Sequence, residues 1–211
     1  SGDPRPGNAK FKKLTPVDEN SANPYTLTDD DRTVIGNTTP KFSGGFGLNA
    51  TFKGFDVSAF FNFMYDFDVF NANKVMMTTW ASNNYNNFSM DISAAKRWRN
   101  FDDMGNEIRY SPEILAEFNK NATMWNPTSI GRPIAMSYAV EDGSFLRLNT
   151  ATIGYTLPRA WTNKVGLSRV RFYASGYNLF TITGYSGYDP EVDIATGLTP
   201  NIDNNRYPRS R

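Results

Sequence analysis

The sequence predicts an all-β chain, a portion of a large antiparallel transmembrane β-barrel whose long extracellular loops contain short helices. Three observations predict it. Two adjacent segments, residues 42–52 and 55–65, alternate apolar and polar residues over the length of a membrane-crossing strand. The connections between candidate strands sort by length, long at one end and short at the other. The composition sets 16 Phe, 11 Tyr and 4 Trp beside 16 Gly, and aromatics mixed with Gly, Asn and Thr suit strands joined by polar loops.

Composition also excludes. Lys plus Arg number 22 against 21 Asp plus Glu, so no net field favours nucleic acid, and no nucleic-acid partner is expected. Without cysteine there is no disulfide framework or thiolate chemistry, and without histidine the usual general base and commonest metal ligand are missing. No apolar run approaches the roughly 20 residues of a spanning helix. That leaves a barrel open, since its strands need only about 9–11 residues. The chain starts at Ser1-Gly2-Asp3-Pro4 without a signal peptide, so an export signal is expected upstream.

Residues 1–41 are polar and rich in Pro, Asn and Asp, and read as loop. In the first strand Phe42, Gly44, Phe46, Leu48, Ala50 and Phe52 share one face, with Ser43, Gly45, Gly47, Asn49 and Thr51 on the other. Lys53-Gly54 is a tight turn. In the second strand Phe55, Val57, Ala59, Phe61, Phe63 and Tyr65 oppose Asp56, Ser58, Phe60, Asn62 and Met64. Residues 66–144 hold no sustained strand period, and residues 91–99 and the segment after Ser111-Pro112 are expected to be helical.

The third strand, 145–157, slips phase. Leu146 and Leu148 fall on one face and Ala151, Ile153, Tyr155 and Leu157 on the other, unless a bulge near Asn149-Thr150 restores one apolar face. A short connection with room for one helical turn spans 158–168. The fourth strand covers 170–183, with Val170, Phe172, Ala174 and Gly176 opposed to Arg171, Tyr173 and Ser175. The expected map is an extracellular loop 1–41, a hairpin 42–65, a long extracellular loop 66–144, a strand pair 145–183 and an extracellular loop 184–211. Antiparallel strands then place every long loop at one end and both short turns at the other.

Motifs along this map resemble a known family. They are Asp31-Arg32-Thr33-Val34-Ile35-Gly36-Asn37 followed by Pro40-Lys41-Phe42; Val69-Phe70-Asn71-Ala72-Asn73-Lys74; Val140-Glu141-Asp142-Gly143-Ser144-Phe145-Leu146-Arg147-Leu148 with Ile153-Gly154-Tyr155-Thr156-Leu157-Pro158; Ser175-Gly176-Tyr177-Asn178-Leu179-Phe180-Thr181; Tyr188-Asp189-Pro190-Glu191; and Tyr207-Pro208-Arg209-Ser210-Arg211. In this order they are similar to the closing part of the SusC/RagA family of TonB-dependent outer-membrane transporters of Bacteroidetes. The resemblance implies import of an oligosaccharide or peptide ligand, a SusD-like surface lipoprotein over the loops, and outer-membrane lipid around the wall. It also implies energy from the TonB complex, coupled through N-terminal parts absent here. Family members continue into one more strand ending in Phe, so the final strand is expected to be absent from this chain.

Chemistry beyond transport has thin support. The carboxylate pairs Asp66/Asp68, Asp102/Asp103 and Glu141/Asp142 are sequence neighbours, which rarely have the opposed environments that acid–base work needs; solvated charge is the preferred reading, and no catalytic residue is assigned. Asp29-Asp30-Asp31 offers oxygens suited to Ca²⁺, but the further ligands are not visible, and Asp18-Glu19 is cut off from it by Pro24-Tyr25. No cofactor is expected. Among the loop aromatics Trp80, Tyr85, Trp98, Tyr110 and Trp125, the substrate-binding candidates are Trp80, Trp98 and Trp125, because sugar rings pack on aromatic faces; a small loop core is the plainer reading. Lys96, Arg97 and Arg99 read as a solvated helix face. Two alternatives to the importer stay open, a soluble β-rich carbohydrate-binding module and, less favoured, a loop-bearing hydrolase.

Overall fold

Alternation makes β1 (Phe42–Phe52) and β2 (Phe55–Tyr65) complementary ribbons. Lys53 and Gly54, at φ 47° and 90°, close them through the two-residue turn whose twist matches that of the strands. In the computed structural model, which describes residues 6–17, 19, 26–80, 88–130, 134–192 and 201–204, this hairpin starts a four-stranded antiparallel sheet. β5 (Phe145–Thr156) pairs with β2, and β6 (Arg171–Thr183) pairs with β5. β5 and β6 are joined by the one-turn helix α3 (Arg159–Thr162) and a 3-10 turn, Asn163–Val165.

The phase slip in β5 is resolved by a bulge. Phe60 pairs with Thr150 and Phe61 with Leu148, leaving Asn149 as the extra residue. On the other side Thr150 pairs with Tyr177 and Leu148 with Phe180, so β6 carries two intervening residues, Asn178 and Leu179. Asn178 takes φ 49°, a left-handed conformation that Asn tolerates better than most side chains. The number of intervening residues grows from β2 to β6. That strengthens local coiling and returns Leu146 and Leu148 to the face of Ala151, Ile153 and Tyr155.

A second, three-stranded sheet went unread in the sequence. β3 (Asp68–Asn71) lies between β4 (Val140–Asp142), antiparallel, and β7 (Ile202–Asp203), parallel. Together with the larger sheet it forms one compact unit, Gly36–Asn71 with Val140–Arg211. Its core is Phe67, Val69, Phe145, Tyr185 and Val192, with Met64 packed against it. Met64 and Phe145 sit on the predominantly polar face of the large sheet, so the core builds on that side.

The other compact unit is Ser1–Ile35 with Ala72–Ala139. It holds α1 (Ala72–Thr78), α2 (Pro112–Asn119) and 3-10 turns at Asp29–Asp31, Met90–Ile92, Pro127–Ser129 and Ser137–Ala139. Pro112 occupies the first turn of α2, but the Ser111 side chain makes no capping bond. Ile114 and Phe118 remain exposed, so α2 is held mainly at its end, where Asn119 donates to Arg99 O and accepts from Arg99 N. The helix expected over 91–99 is a 3-10 turn followed by a backbone bridge from Arg97 to Met124. Trp98 N donates to Met124 O, a cross-chain bond that an α-helix there would forfeit.

Candidate functional site

The large sheet has two chemically different faces. Across β1, β2, β5 and β6 the register sets out rows Phe52–Phe55–Tyr155–Phe172, Ala50–Val57–Ile153–Ala174, Leu48–Ala59–Ala151–Gly176, Phe46–Phe61–Leu148–Phe180 and Gly44–Phe63–Leu146–Ile182. Phe42 and Tyr65 finish the hairpin at the loop end. Rings meet within the rows, Phe46 stacked on Phe61 at 4.9 Å and Phe55 tilted against Tyr155 at 4.4 Å between centroids. From Phe52 to Phe42 the strand climbs about 33 Å at about 3.3 Å per residue; tilted as barrel strands are, that is an apolar band about 25 Å tall.

The band is largely open to solvent, Leu148 being the one buried residue of its rows. Phe52, Leu48 and Ile182 are 71, 58 and 62% exposed, whereas a soluble monomer rarely leaves so large a contiguous apolar surface to water. Both outer strands, β1 and β6, also end the sheet without a partner strand among the described residues.

The opposite face is mixed. Thr152 and Ser175 hydroxyls bond at 2.8 Å. Arg171 on β6 reaches over the central strand to pair in a bidentate manner with Asp56 on β2. The crossing is possible because Gly154 lies beneath it: a Cβ there would come within 2.5 Å of Arg171 Nη2 and 2.7 Å of Asp56 Oδ2. Phe60, Tyr173 and Tyr177 share this face and stay exposed, giving it aromatic patches among the polar groups.

At the loop end, the motif residues meet in the small sheet. Asp68 accepts from Asn37 N at 2.6 Å and returns its own N–H to Asn37 O. Lys41 pairs with Asp66, and Ser186 donates twice to the Glu141 carboxylate at 2.8 and 2.9 Å. Asp142 accepts from Ser144, and the buried Tyr185 hydroxyl donates to Asp203 at 2.7 Å. Burial, then the bond to Asp203, pushes the Tyr185 phenol far above its ordinary range. Arg147, 2% exposed, is bound by Asp189, Glu191 and the Thr181 hydroxyl. The carboxylates weighed for acid–base chemistry are therefore fasteners. Asp66 and Asp68 do not act side by side, since Asp66 turns the chain at φ 60°.

The loop carboxylates behave alike. Asp31 accepts from the backbone N–H groups of Thr15, Leu14 and Thr28 at 2.7 to 2.9 Å, and from the Thr15 hydroxyl. These bonds, that of Thr15 N–H foremost, hold its carboxyl far below the usual carboxylate range. Its oxygens face donors, while Asp29 is exposed against Arg32. Asp102 closes the turn 102–106 through the Asn106 side chain and backbone, which lowers its pKa, and Asp103 pairs with Arg99. Among the described residues no cluster of three or more acidic groups could hold a metal; Asp18, Pro24 and Tyr25 lie outside them.

Backbone bonds gather the three candidate tryptophans. Trp80 N donates to Pro127 O, and the Arg97–Met124 bridge sets Trp98 and Trp125 one residue further on along its two segments. Trp80, 49% exposed, stacks on Phe88 at 5.5 Å. Trp98 packs on Gly7, whose Cβ would lie 2.2 Å from the indole; Trp125 meets Tyr138 edge-on at 4.9 Å. Both of these indoles are partly buried, and their Nε1 atoms find no acceptor among the described residues. Tyr85 and residues 207–211 fall outside the described residues.

The chain is similar to known proteins over most of its length. The chain is 34% identical over 193 residues, 92% of its length, to TonB-dependent receptor P3 of Formosa agariphila. It is 31% identical over 153 residues to TonB-dependent receptor SusC of Bacteroides thetaiotaomicron. The chain belongs to the SusC/RagA family of TonB-dependent receptors. It spans 16% of the P3 receptor and 14% of SusC. The fold agrees: the solved RagAB peptide transporter matches 87% of the chain and 18% of its own with a TM-score of 0.64 at 24% identity. The RagAB peptide importer in its closed-closed state matches with 0.62. The large sheet is thus a portion of the antiparallel wall of a TonB-dependent β-barrel. No family model matches the chain.

Proposed function

We propose that these residues form part of the wall and the loop base of an outer-membrane importer of large nutrients, oligosaccharides or peptides. Energy comes from the TonB complex through N-terminal parts of the receptor, and a SusD-like surface lipoprotein covers the loops. The chain's own contribution is physical. Its apolar rows meet lipid, its polar face lines a wet interior, and the ends with long connections, 1–41, 66–144 and 184–211, face outward.

One observation carries this reading, the largely open apolar band bounded at its short-turn end by Phe52, Phe55, Tyr155 and Phe172. Its height suits hydrocarbon, and aromatics belong at the headgroup level. Unpaired strand edges in hydrocarbon would cost several kcal/mol per unmet group, so both edges take neighbouring strands of one closed barrel. The names of the relatives support import as the activity.

Within the outward loops, Trp80 with Phe88 forms the exposed platform for ligand, while Trp98 and Trp125 shape it from more enclosed positions. Two measurements test the reading. The chain should require detergent or lipid to stay folded and monomeric, and full-length receptor should fractionate with outer membranes and support uptake of labelled oligosaccharide or peptide. A folded monomer in plain buffer that binds sugar alone would instead establish the soluble module.

A further inference from the structure

At the short-turn end of the wall the two faces meet in a cleft of about 520 Å³, lined by Phe52 and Phe55 of the aromatic row and by Lys53, Asp56, Arg169 and Arg171 among others. Its charge is unbalanced. Asp56 pairs with Arg171 and also feels the charge of Arg169, so three cations, Lys53, Arg169 and Arg171, face a single carboxylate in the lining. Lys53 holds its ammonium 5.2 Å from the centroid of the Phe52 ring. The turn is fixed where it stands: Thr156 N donates to Gly54 O at 2.8 Å, which docks the hairpin tip on the end of β5 and keeps Lys53 near the start of β6.

We propose that this cleft binds the phosphate group of an anionic phospholipid, with the acyl chains lying along the Phe52–Phe55–Tyr155–Phe172 row. A free anion would need only the cations. Here the lining also includes Phe52 and Phe55, which belong to the apolar band, so the cleft lies where an amphiphile with a negative head and a hydrocarbon body would be met. Basic side chains at headgroup depth, beside an aromatic border, are placed to meet phosphate without leaving water. The inference rests on the membrane reading of the wall, and goes beyond it by assigning a lipid site to Lys53 and Arg169.

Native mass spectrometry of the full-length receptor, titrated with phosphatidylglycerol after delipidation, tests it. Lys53→Asn keeps a residue that tolerates the left-handed turn, and Arg169→Gln keeps length; both positions are exposed. The double variant should bind phosphatidylglycerol about tenfold to thirtyfold more weakly than the unaltered receptor. Phosphatidylcholine should bind weakly to both, and inorganic phosphate should not displace the lipid. Arg169→Glu alone should show the same loss should the double variant fold poorly. Equal phosphatidylglycerol binding by receptor and variants would overturn the site, and displacement by inorganic phosphate would make it a free-anion site. A receptor that never enters the membrane fraction would refute the membrane reading itself, a result separate from insertion without headgroup preference.

Discussion

The guanidinium of Arg147, on the polar face of β5, meets the carboxylate of Asp189, 42 residues further along the chain, at 2.5 Å. Glu191 pairs with the same side chain at 3.1 Å, and Glu191 N donates back to Asp189. One buried cation thus fixes the segment that leaves β6. Breaking a buried pair by deleting one partner costs about 3 kcal/mol or more. Arg147→Ala in the full-length receptor should therefore speed amide exchange in residues 185–192 by about a hundredfold. Exchange unchanged from that of the unaltered receptor would show that the segment is held by other contacts.

Gly154→Ala tests the crossing of β5 by the Asp56–Arg171 pair. The added methyl would sit where the guanidinium and carboxylate now meet, and overpacking of this kind costs about 1–3 kcal/mol. The expected outcome is a lower unfolding midpoint for the receptor in detergent. The same substitution made together with Asp56→Ala and Arg171→Ala should cost much less, because the clash has then lost its partners.

Depth dependence probes the apolar band. Ala59→Arg, in the middle row of the wall, should destabilise equilibrium insertion into vesicles by about 2–4 kcal/mol, while Phe52→Arg at the aromatic border should cost about 0–1 kcal/mol from charge burial. A flat profile along β1 and β2 would argue that this face meets protein, not lipid.

Asp31 supplies a pH signature. Its folded pKa is depressed, so the stability it contributes is present above the normal carboxylate range and is lost as pH falls below that range toward its folded value. Acidification should therefore release the Leu14, Thr15 and Thr28 amides. Asp31→Asn should expose the same amides at neutral pH, measured by hydrogen exchange, since an amide replaces one acceptor oxygen with a donor facing N–H groups.

Trp80 and Trp98 should separate binding from stability. Trp80→Ala removes an exposed ring and should weaken ligand uptake with little change in unfolding midpoint. Trp98→Ala strips the indole packed on Gly7 and should cost about 0.5–3 kcal/mol in stability. The reverse pattern would remove Trp80 from the proposed platform.

The large sheet was legible because alternation is a local signal. Two-residue periodicity defines β1 and β2, and a slip in that periodicity points to a bulge near Asn149-Thr150, which the register places at Asn149. The small sheet was not legible. β7 has two residues and β4 three, too few to show a period, and β3 pairs with residues far along the chain. The helix expected over 91–99 failed because the backbone there bonds to Met124, a tertiary partner that local propensity cannot anticipate. The fastening roles of Asp66, Asp68 and Glu141 were hidden for the same reason. Their partners Lys41, Asn37 and Ser186 are 25, 31 and 45 residues distant.

β3 and β4 have a further consequence. Phe70 lies opposite Val140, so the chain leaves for residues 72–139 and returns through neighbouring ladder positions. An excursion closed at its neck can be lengthened, trimmed or exchanged at a small entropic cost, since loop closure grows only slowly with length. The wall then serves as a socket, and the cartridge is the excursion together with residues 1–35, which belong to the same compact unit: on the importer reading, exchanging both segments, with cuts after Ile35 and Asn71 and before Val140, should carry ligand preference between relatives without re-engineering the strands of the wall.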